Sequence, residues 1–321
     1  MSPTRRRVTA LLATGAAALG PIGGAMAQGV PDVLDPTPAG VDTNPTNVDT
    51  GEDRAERITV PALINGQGPF NFLVDTGANA SCVSERLAQT LQLPPGPATA
   101  VHTVVGPKLR QSVLIDTLRL GARTLRKVRA PVLPISGADL DGVLGIDWLK
   151  GQRLVLGFAD RRLEITKSLR EASGDNRVVV PARRRSGQLT IVDADMSGER
   201  ISAMIDSGSQ LSVGNEPLRR LIQRQDPLQR RETQKVTLVS IADERFVGEV
   251  AYIPFMRLGG LHLGNVPVVF ANMHVFGLWD LTTRPAIVLG MDLLTQFTAV
   301  AMDFGRSVVR FDIAPTTLAQ R

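Results

Sequence analysis

The chain has 321 residues, 43% hydrophobic and 21% charged, which is enough apolar sequence for one large core or two medium ones and excludes a chain disordered throughout. Aromatic residues make up only 4%, with one tyrosine and two tryptophans, so a base-stacking surface for nucleic acid is not expected. The single cysteine, Cys82, has no internal disulfide partner, and His102, His262 and His274 share no metal-ligand spacing, so neither a disulfide framework nor a zinc site is expected. There is no phosphate-binding loop, nucleophile elbow or HExxH helix. Gly66-Gln67-Gly68 begins a dinucleotide fingerprint, but Asn71 stands where its last glycine belongs. No cofactor and no metal are expected.

The net charge of +5 is concentrated at the amino terminus. Residues 1–27 hold Arg5, Arg6 and Arg7 and no acid, and without them the charge falls to +2. A modestly apolar stretch from Val8 to Leu19 follows, then Pro21, Gly23, Gly24 and the small-x-small site Ala25-Met26-Ala27. This order reads as a signal peptide over 1–27, cut before Gln28, and predicts export, with the bacterial periplasm as destination. An uncleaved anchor is the alternative, but the apolar stretch is shorter than the roughly 20 residues a membrane helix needs. Thr4-Arg5-Arg6 fits a twin-arginine signal and the general route alike. Residues 28–56 hold Pro31, Pro36, Pro38 and Pro45 among Asp, Thr and Gly without an apolar period, the composition of a disordered linker or pro-segment.

From Arg57 the pattern changes to short β-rich runs bounded by turn residues: 58–60, 70–74, 113–120, 128–133, 154–158 and 163–165. A helix is predicted after Ser81, where Val83, Leu87 and Leu91 form a stripe that ends at Pro94 and Pro95. After a polar connection over 167–177 the pattern begins again. Arg57-Ile58-Thr59-Val60-Pro61 recurs as Arg177-Val178-Val179-Val180-Pro181. Phe72-Leu73-Val74-Asp75-Thr76-Gly77-Ala78 recurs as Ala203-Met204-Ile205-Asp206-Ser207-Gly208-Ser209. Leu118-Arg119-Leu120-Gly121 recurs as Met256-Arg257-Leu258-Gly259, and Gly142-Val143-Leu144-Gly145-Ile146-Asp147 as Ile287-Val288-Leu289-Gly290-Met291-Asp292. Four matches in one order imply two copies of one fold. The division expected is an amino-terminal lobe over 57–170 and a carboxy-terminal lobe over 171–321.

An apolar run ending in Asp-Thr/Ser-Gly puts a carboxylate where a buried strand turns back, with a glycine that lets the backbone come close to it. A carboxylate among apolar strands is costly unless it is hydrogen-bonded or shares a proton, and two copies that meet at their turns offer the second solution. Such a dyad can hold a water, one carboxyl acting as base and the other polarising a carbonyl oxygen, which is peptide hydrolysis without a metal or covalent intermediate. A lone Asp-Thr/Ser-Gly is most simply a turn; the duplicate, each copy followed by apolar-apolar-Gly, favours the dyad.

At these residues the sequence resembles the retropepsin and pepsin clan of aspartic proteases, particularly bacterial exported retropepsin-like enzymes, from about Arg57 to Ile313. The resemblance implies a mostly β, two-lobed acid-protease barrel fold with a few short helices, and an aspartic endopeptidase. It implies Asp75 and Asp206 as the catalytic dyad, Thr76 and Ser207 hydrogen-bonded across the lobe interface, and Gly77 and Gly208 supporting the carboxylates through their backbone, with Ser209 as a further supporting residue. It also implies flap hairpins around 103–109 and 238–246. Neither flap segment has the tyrosine of pepsin, and Ala78 stands where pepsin-like lobes prefer a hydroxyl, so the likeness is to the retroviral type fused into one chain.

The partner expected is a protein or peptide substrate in the cell envelope, bound by a monomer, with no nucleic acid and no stable membrane insertion once the leader is cut. The rival readings are a non-catalytic peptide-binding or scaffold protein that keeps the fold, and an envelope structural protein. Asp147 and Asp292 are expected as helix caps, Cys82 as a small core residue on the predicted helix, and the basic runs at 183–185, 219–220 and 230–231 as solvated faces.

Overall fold

The computed structural model describes residues 9–12, 44–135, 139–149, 151–185, 188–191, 193–225 and 234–315. The leader and most of the 28–56 segment lie outside these residues, apart from Thr9–Leu12 and the stretch from 44. The described chain is mostly β, in two lobes built alike. In the first lobe the strands lie side by side in the order Gly51–Glu52, Ile58–Ile64, Gln67–Val74, Gly142–Leu144, Cys82–Ser84, Arg123–Leu133, Pro107–Leu120 and Pro95–His102. In the second lobe the order is Arg177–Arg185, Gln188–Ile191, Ser202–Ile205, Ala286–Leu289, Val213–Gly214, Leu261–Phe270, Arg245–Leu258 and Gln234–Ser240. Strand for strand, the second lobe repeats the first.

Both catalytic-type turns arise from the same local arrangement. The strand that leads into each aspartate pairs in parallel with the Val-Leu strand of the later motif, Val74 opposite Leu144 and Ile205 opposite Leu289. Parallel strands inside a lobe are covered on both faces, which accounts for their continuous apolar runs. Leu73, Val74, Val143 and Leu144 are buried, as are Met204, Ile205, Val288 and Leu289. The glycines that end the later motif are required by close packing. A Cβ on Gly145 would lie 2.7 Å from the Ala80 carbonyl carbon, and one on Gly290 would lie 2.5 Å from that of Leu211.

The lobes are joined by six adjacent strands in the order Thr46–Asp49, Arg162–Thr166, Arg153–Gly157, Ala299–Asp303, Val308–Asp312 and Arg177–Arg185. The two central strands are antiparallel, with Arg153 opposite Asp303 and Gly157 opposite Ala299. Glu171, in the connection between lobes, bonds Arg153 from the first lobe at 2.9 Å and also Arg310 from the second. All three side chains are buried or nearly so.

Three expectations are corrected here. Within 28–56, expected as a disordered linker or pro-segment, the described residues 44–56 are ordered: Thr46–Asp49 pairs with Arg162–Thr166, and Thr46 and Ala55 are buried. Composition misses this because the strand is held by main-chain bonds to a sheet edge and has little apolar pattern of its own. The helix expected from Ser81 starts later, at Glu85–Thr90, capped by the Ser84 hydroxyl, which accepts from the Leu87 amide at 3.0 Å. Val83 and Cys82 belong instead to a strand, opposite Gly142 and Val143. The first repeat match is out of register: Thr59 lies opposite Leu73 and Thr190 opposite Met204, so the counterpart of Ile58–Val60 is Leu189–Ile191. Arg177–Pro181 pairs with Val308–Asp312 in the interlobe sheet, as Thr46–Asp49 does with Arg162–Thr166.

Of the leader, only Thr9–Leu12 lies among the described residues, and it pairs in parallel with Gln234–Ser240, Thr9 opposite Thr237. Among the described residues no helix is long and apolar enough to cross a membrane.

Replacing Glu171 by Ala leaves two buried guanidinium groups without their shared carboxylate, and removing one partner of a buried pair costs about 3–5 kcal/mol. Urea unfolding of Glu171→Ala is expected to show a loss of that size. A loss below about 1 kcal/mol would mean that the interlobe sheet does not rely on this network.

Candidate active site

The two aspartates meet at the floor of the interface between lobes, each 1% exposed. The Asp75 amide donates to the Leu144 carbonyl and the Asp206 amide to the Leu289 carbonyl, both at 3.0 Å, so each turn is anchored to its own Val-Leu-Gly strand. Asp75 Oδ1 accepts from the amides of Gly77 at 2.8 Å and Ala78 at 3.0 Å. Asp206 Oδ1 accepts from the Gly208 amide at 2.9 Å. The outer oxygens, Oδ2 of both residues, are buried, and among the described residues neither takes a hydrogen bond from outside the pair. Gly77 has to be glycine: a Cβ there would come within 2.6 Å of the Asp206 carboxyl.

Thr76 and Ser207 cross the interface reciprocally. The Thr76 hydroxyl donates to the Ile205 carbonyl at 3.0 Å and accepts from the Ser207 amide at 3.0 Å. The Ser207 hydroxyl donates to the Val74 carbonyl at 2.7 Å and accepts from the Thr76 amide at 3.2 Å. Each hydroxyl thereby ties the strand that carries one aspartate to the strand that carries the other.

Burial is the main reason both carboxyls hold protons more tightly than a carboxyl in water. Asp75 is raised well above the usual range by burial, then by the Asp206 charge and a hydrogen bond with Asp206, against the Gly77 amide and the Arg57 charge. Asp206 is pushed up by burial, against hydrogen bonds from Asp75 and the amides of Gly208 and Ser209, and the charge of Arg57. Two such groups in contact favour one shared proton over two charges.

Ser209 sends its hydroxyl to the Leu211 carbonyl at 2.7 Å, not to Asp206. The absence of a hydroxyl at Ala78 therefore removes no side-chain donor, and the Ala78 amide serves Asp75 instead. Asp147 and Asp292 do not cap helices; the residues at those caps are Gly145 and Gly290. Asp147 accepts from the Ser81 amide at 3.1 Å and hydroxyl at 2.8 Å, and Asp292 from the Ser212 amide at 3.0 Å and hydroxyl at 2.7 Å. Those serine hydroxyls accept in turn from the amides of Gly145 and Gly290, each at 3.1 Å. The duplicate Asp in the sequence was the signal; the serine six residues after each catalytic-type aspartate was its unread partner. Burial raises Asp147 to about 6 and raises Asp292 too. Cys82 is buried on its strand, and burial pushes its thiol up, which keeps it protonated.

Both flap hairpins reach the opposite lobe. Val104, in the turn after Pro95–His102, is buried in a cluster with Met204, Val213 and Val288 of the second lobe. Ile241, in the turn after Gln234–Ser240, is buried with Leu73, Ala78 and Val143 of the first. Polar contacts join the turns as well: the Thr103 hydroxyl donates to Glu244 at 3.0 Å, His274 N donates to the Val104 carbonyl at 2.7 Å, and the His102 and His274 rings meet at 3.0 Å.

Substituting Thr76 by Val, or Ser207 by Ala, strips hydrogen bonds from buried main-chain groups, for which losses of about 1–3 kcal/mol are usual. Because both hydroxyls serve one network, the double variant is expected to lose less than the sum of the singles in urea denaturation. Strict additivity would show that the two bridges act independently.

Comparison with known proteins bears on both lobes. Residues 60–151 match the model of the gag-polyprotein putative aspartyl protease family, and residues 192–293 match that of the aspartyl protease family. A search of curated proteins finds no match. Each matched segment contains one of the two Asp-Thr/Ser-Gly turns and its later Gly motif, and the two segments stand in tandem as the two lobes do. The chain belongs to the retropepsin-like aspartyl proteases, with both lobes in a single polypeptide.

Proposed function

We propose that this protein is an aspartic endopeptidase that cleaves extended segments of cell-envelope proteins as a single chain, using a water held between Asp75 and Asp206. The observation that carries the reading is the pair of carboxyls with inner oxygens held by their own turns and outer oxygens that, among the described residues, bond nothing outside the pair. With one proton on the pair, the ionised carboxylate takes a proton from water as its oxygen attacks the peptide carbon, and the other carboxyl gives its proton to the carbonyl oxygen. The tetrahedral intermediate then collapses, the C–N bond breaks, and the departing nitrogen takes up a proton passed back through the dyad. The flap strand Pro95–His102 stands at the end of its sheet and offers a main-chain edge to which an extended peptide can add, whereas the edge of Gln234–Ser240 is taken by Thr9–Leu12. The arginines and apolar run of the leader support export, and amino-terminal sequencing of the exported form, expected to begin at Gln28, tests it.

Incubation of the protein with a diverse peptide mixture, with cuts mapped by mass spectrometry, tests the activity. Asp75→Asn and Asp206→Asn are each expected to lower the rate by about a thousandfold or more, and the double variant to be little worse, because the residues act as one unit. Retained cleavage in either single variant would contradict the mechanism.

The pH profile has a worked direction. Activity needs one proton on the dyad, so it falls at low pH when both carboxyls are protonated and at high pH when the last proton leaves. Burial raises both values, so the bell in kcat/KM is expected to lie at higher pH than ordinary carboxyls would give. A profile flat from about pH 3 to 9 would count against a carboxyl dyad.

A further inference from the structure

The corrected register between lobes makes Arg57 and Gln188 counterparts. Each stands two residues before the threonine that pairs opposite the strand into the catalytic-type turn, Thr59 opposite Leu73 and Thr190 opposite Met204. Both side chains are almost fully buried, 1% and 2% exposed. Arg57 Nη1 donates to the Gly208 carbonyl at 3.2 Å, and Gln188 Nε2 donates to the Gly77 carbonyl at 2.9 Å and to Asn79 at 2.8 Å. Each therefore reaches from its own lobe to the glycine of the other lobe's turn.

The gripped peptide group also faces the carboxylate. The Gly77 carbonyl and the Ala78 amide belong to one peptide unit, and that amide donates to Asp75 Oδ1. The Gly208 carbonyl and the Ser209 amide also form one unit; that amide donates to the Asp206 main-chain carbonyl at 3.2 Å and its pull favours the charged form of the Asp206 carboxyl. A donor on the carbonyl end of a peptide polarises it and makes its N–H a stronger donor. One of the two donors is neutral and the other is a cation, so the halves of the dyad are not equivalent.

Resting on the proposed protease reading, we propose that Arg57 and Gln188 are positioning residues that lock the opposite lobe's turn through its glycine carbonyl, and that the Arg57 charge makes Asp206 the ionised half of the dyad and Asp75 the half that keeps the proton. In this arrangement Asp206 is the base toward water and Asp75 the acid toward the peptide carbonyl. Arg57 is itself held by Asp53, whose Oδ2 accepts from Nε at 2.9 Å and whose Oδ1 accepts from the Arg57 amide at 3.0 Å. Asp53 offsets part of the arginine charge, but it bonds the far edge of the guanidinium from Gly208. Among the described residues, the other titratable groups packed behind the turns are Cys82, Asp147 and Asp292. Asp147 and Asp292 are counterparts on equivalent serines and do not distinguish the halves. Cys82 is a protonated thiol.

The test is carbon-13 NMR of the full chain with labelled aspartate carboxyls, assigned by through-bond correlation to their own amides, read beside kcat and KM. In the unsubstituted protein, Asp206 is expected to ionise first as pH rises, with Asp75 still carrying its proton. Asp53→Asn combined with Arg57→Gln removes the pair without leaving a lone buried charge, and is expected to move the first ionisation of the dyad to higher pH. Arg57→Lys keeps the charge and is expected to leave that ionisation near its original place. Gln188→Ala removes a neutral clamp on Gly77 and Asn79 and is expected to cut kcat about tenfold, about 1.4 kcal/mol in the transition state, with the first ionisation of the dyad unchanged. The proposal is overturned if Asp75 ionises first, if the Asp53→Asn/Arg57→Gln titration matches the original, or if Gln188→Ala shifts it equally. Expected titrations without peptide cleavage at any pH would retain the electrostatic assignment and reject the endopeptidase reading.

Discussion

The reciprocal exchange between Thr76 and Ser207 is the interaction on which the site depends. Each hydroxyl bridges from its own turn to the carbonyl of the residue before the opposite aspartate, Ile205 or Val74. The two carboxyls are thus fixed relative to one another by two short side chains bonded to the opposite main chain. Placing two acids side by side in a buried interface is costly, and the frame offsets part of that cost by satisfying the inner oxygens with main-chain amides. Such a frame needs both lobes, which the interlobe sheet and the Glu171 bonds to Arg153 and Arg310 join behind the site.

Symmetry organises the fold and its departures locate the chemistry. The serine and aspartate pairs behind the turns, Ser81 with Asp147 and Ser212 with Asp292, repeat almost bond for bond. They hold Gly145 and Gly290 against the turns, so the parallel strands keep their register under each aspartate. The flaps are also exchanged symmetrically, Val104 into the second lobe and Ile241 into the first. The positions of Arg57 and Gln188 correspond while their charges do not, and a reaction that needs one acid and one base benefits from a difference of that kind.

Much of this was legible in the sequence because the repeat is local and apolar. Val74-Asp75-Thr76-Gly77 and Ile205-Asp206-Ser207-Gly208 announce themselves through the runs before them, and Val143-Leu144-Gly145 with Val288-Leu289-Gly290 gives their partners. What escaped the reading depends on contacts between distant segments. Thr46–Asp49 has no apolar period because its order comes from pairing at a sheet edge. Cys82-Val83 reads as helix on spacing, yet Val83 lies opposite Gly142, and tertiary pairing overrides the stripe. The match of Arg57–Pro61 to Arg177–Pro181 was persuasive by residue type, but only the sheet register shows that Gln188, chemically unlike arginine, is the counterpart of Arg57. The aspartates after Gly145 and Gly290 look like caps until the serines they bind are brought beside them.

The central claim is that one chain carries one complete dyad sharing a proton. Calorimetric titration with a peptide bearing a hydroxyl-substituted tetrahedral carbon in place of the scissile carbonyl tests it directly, since such a group resembles the transition state and draws on both carboxyls. The account predicts one molecule bound per chain, with affinity lost on either side of the singly protonated range. Binding of one molecule per two chains, or an affinity indifferent to pH, would contradict it.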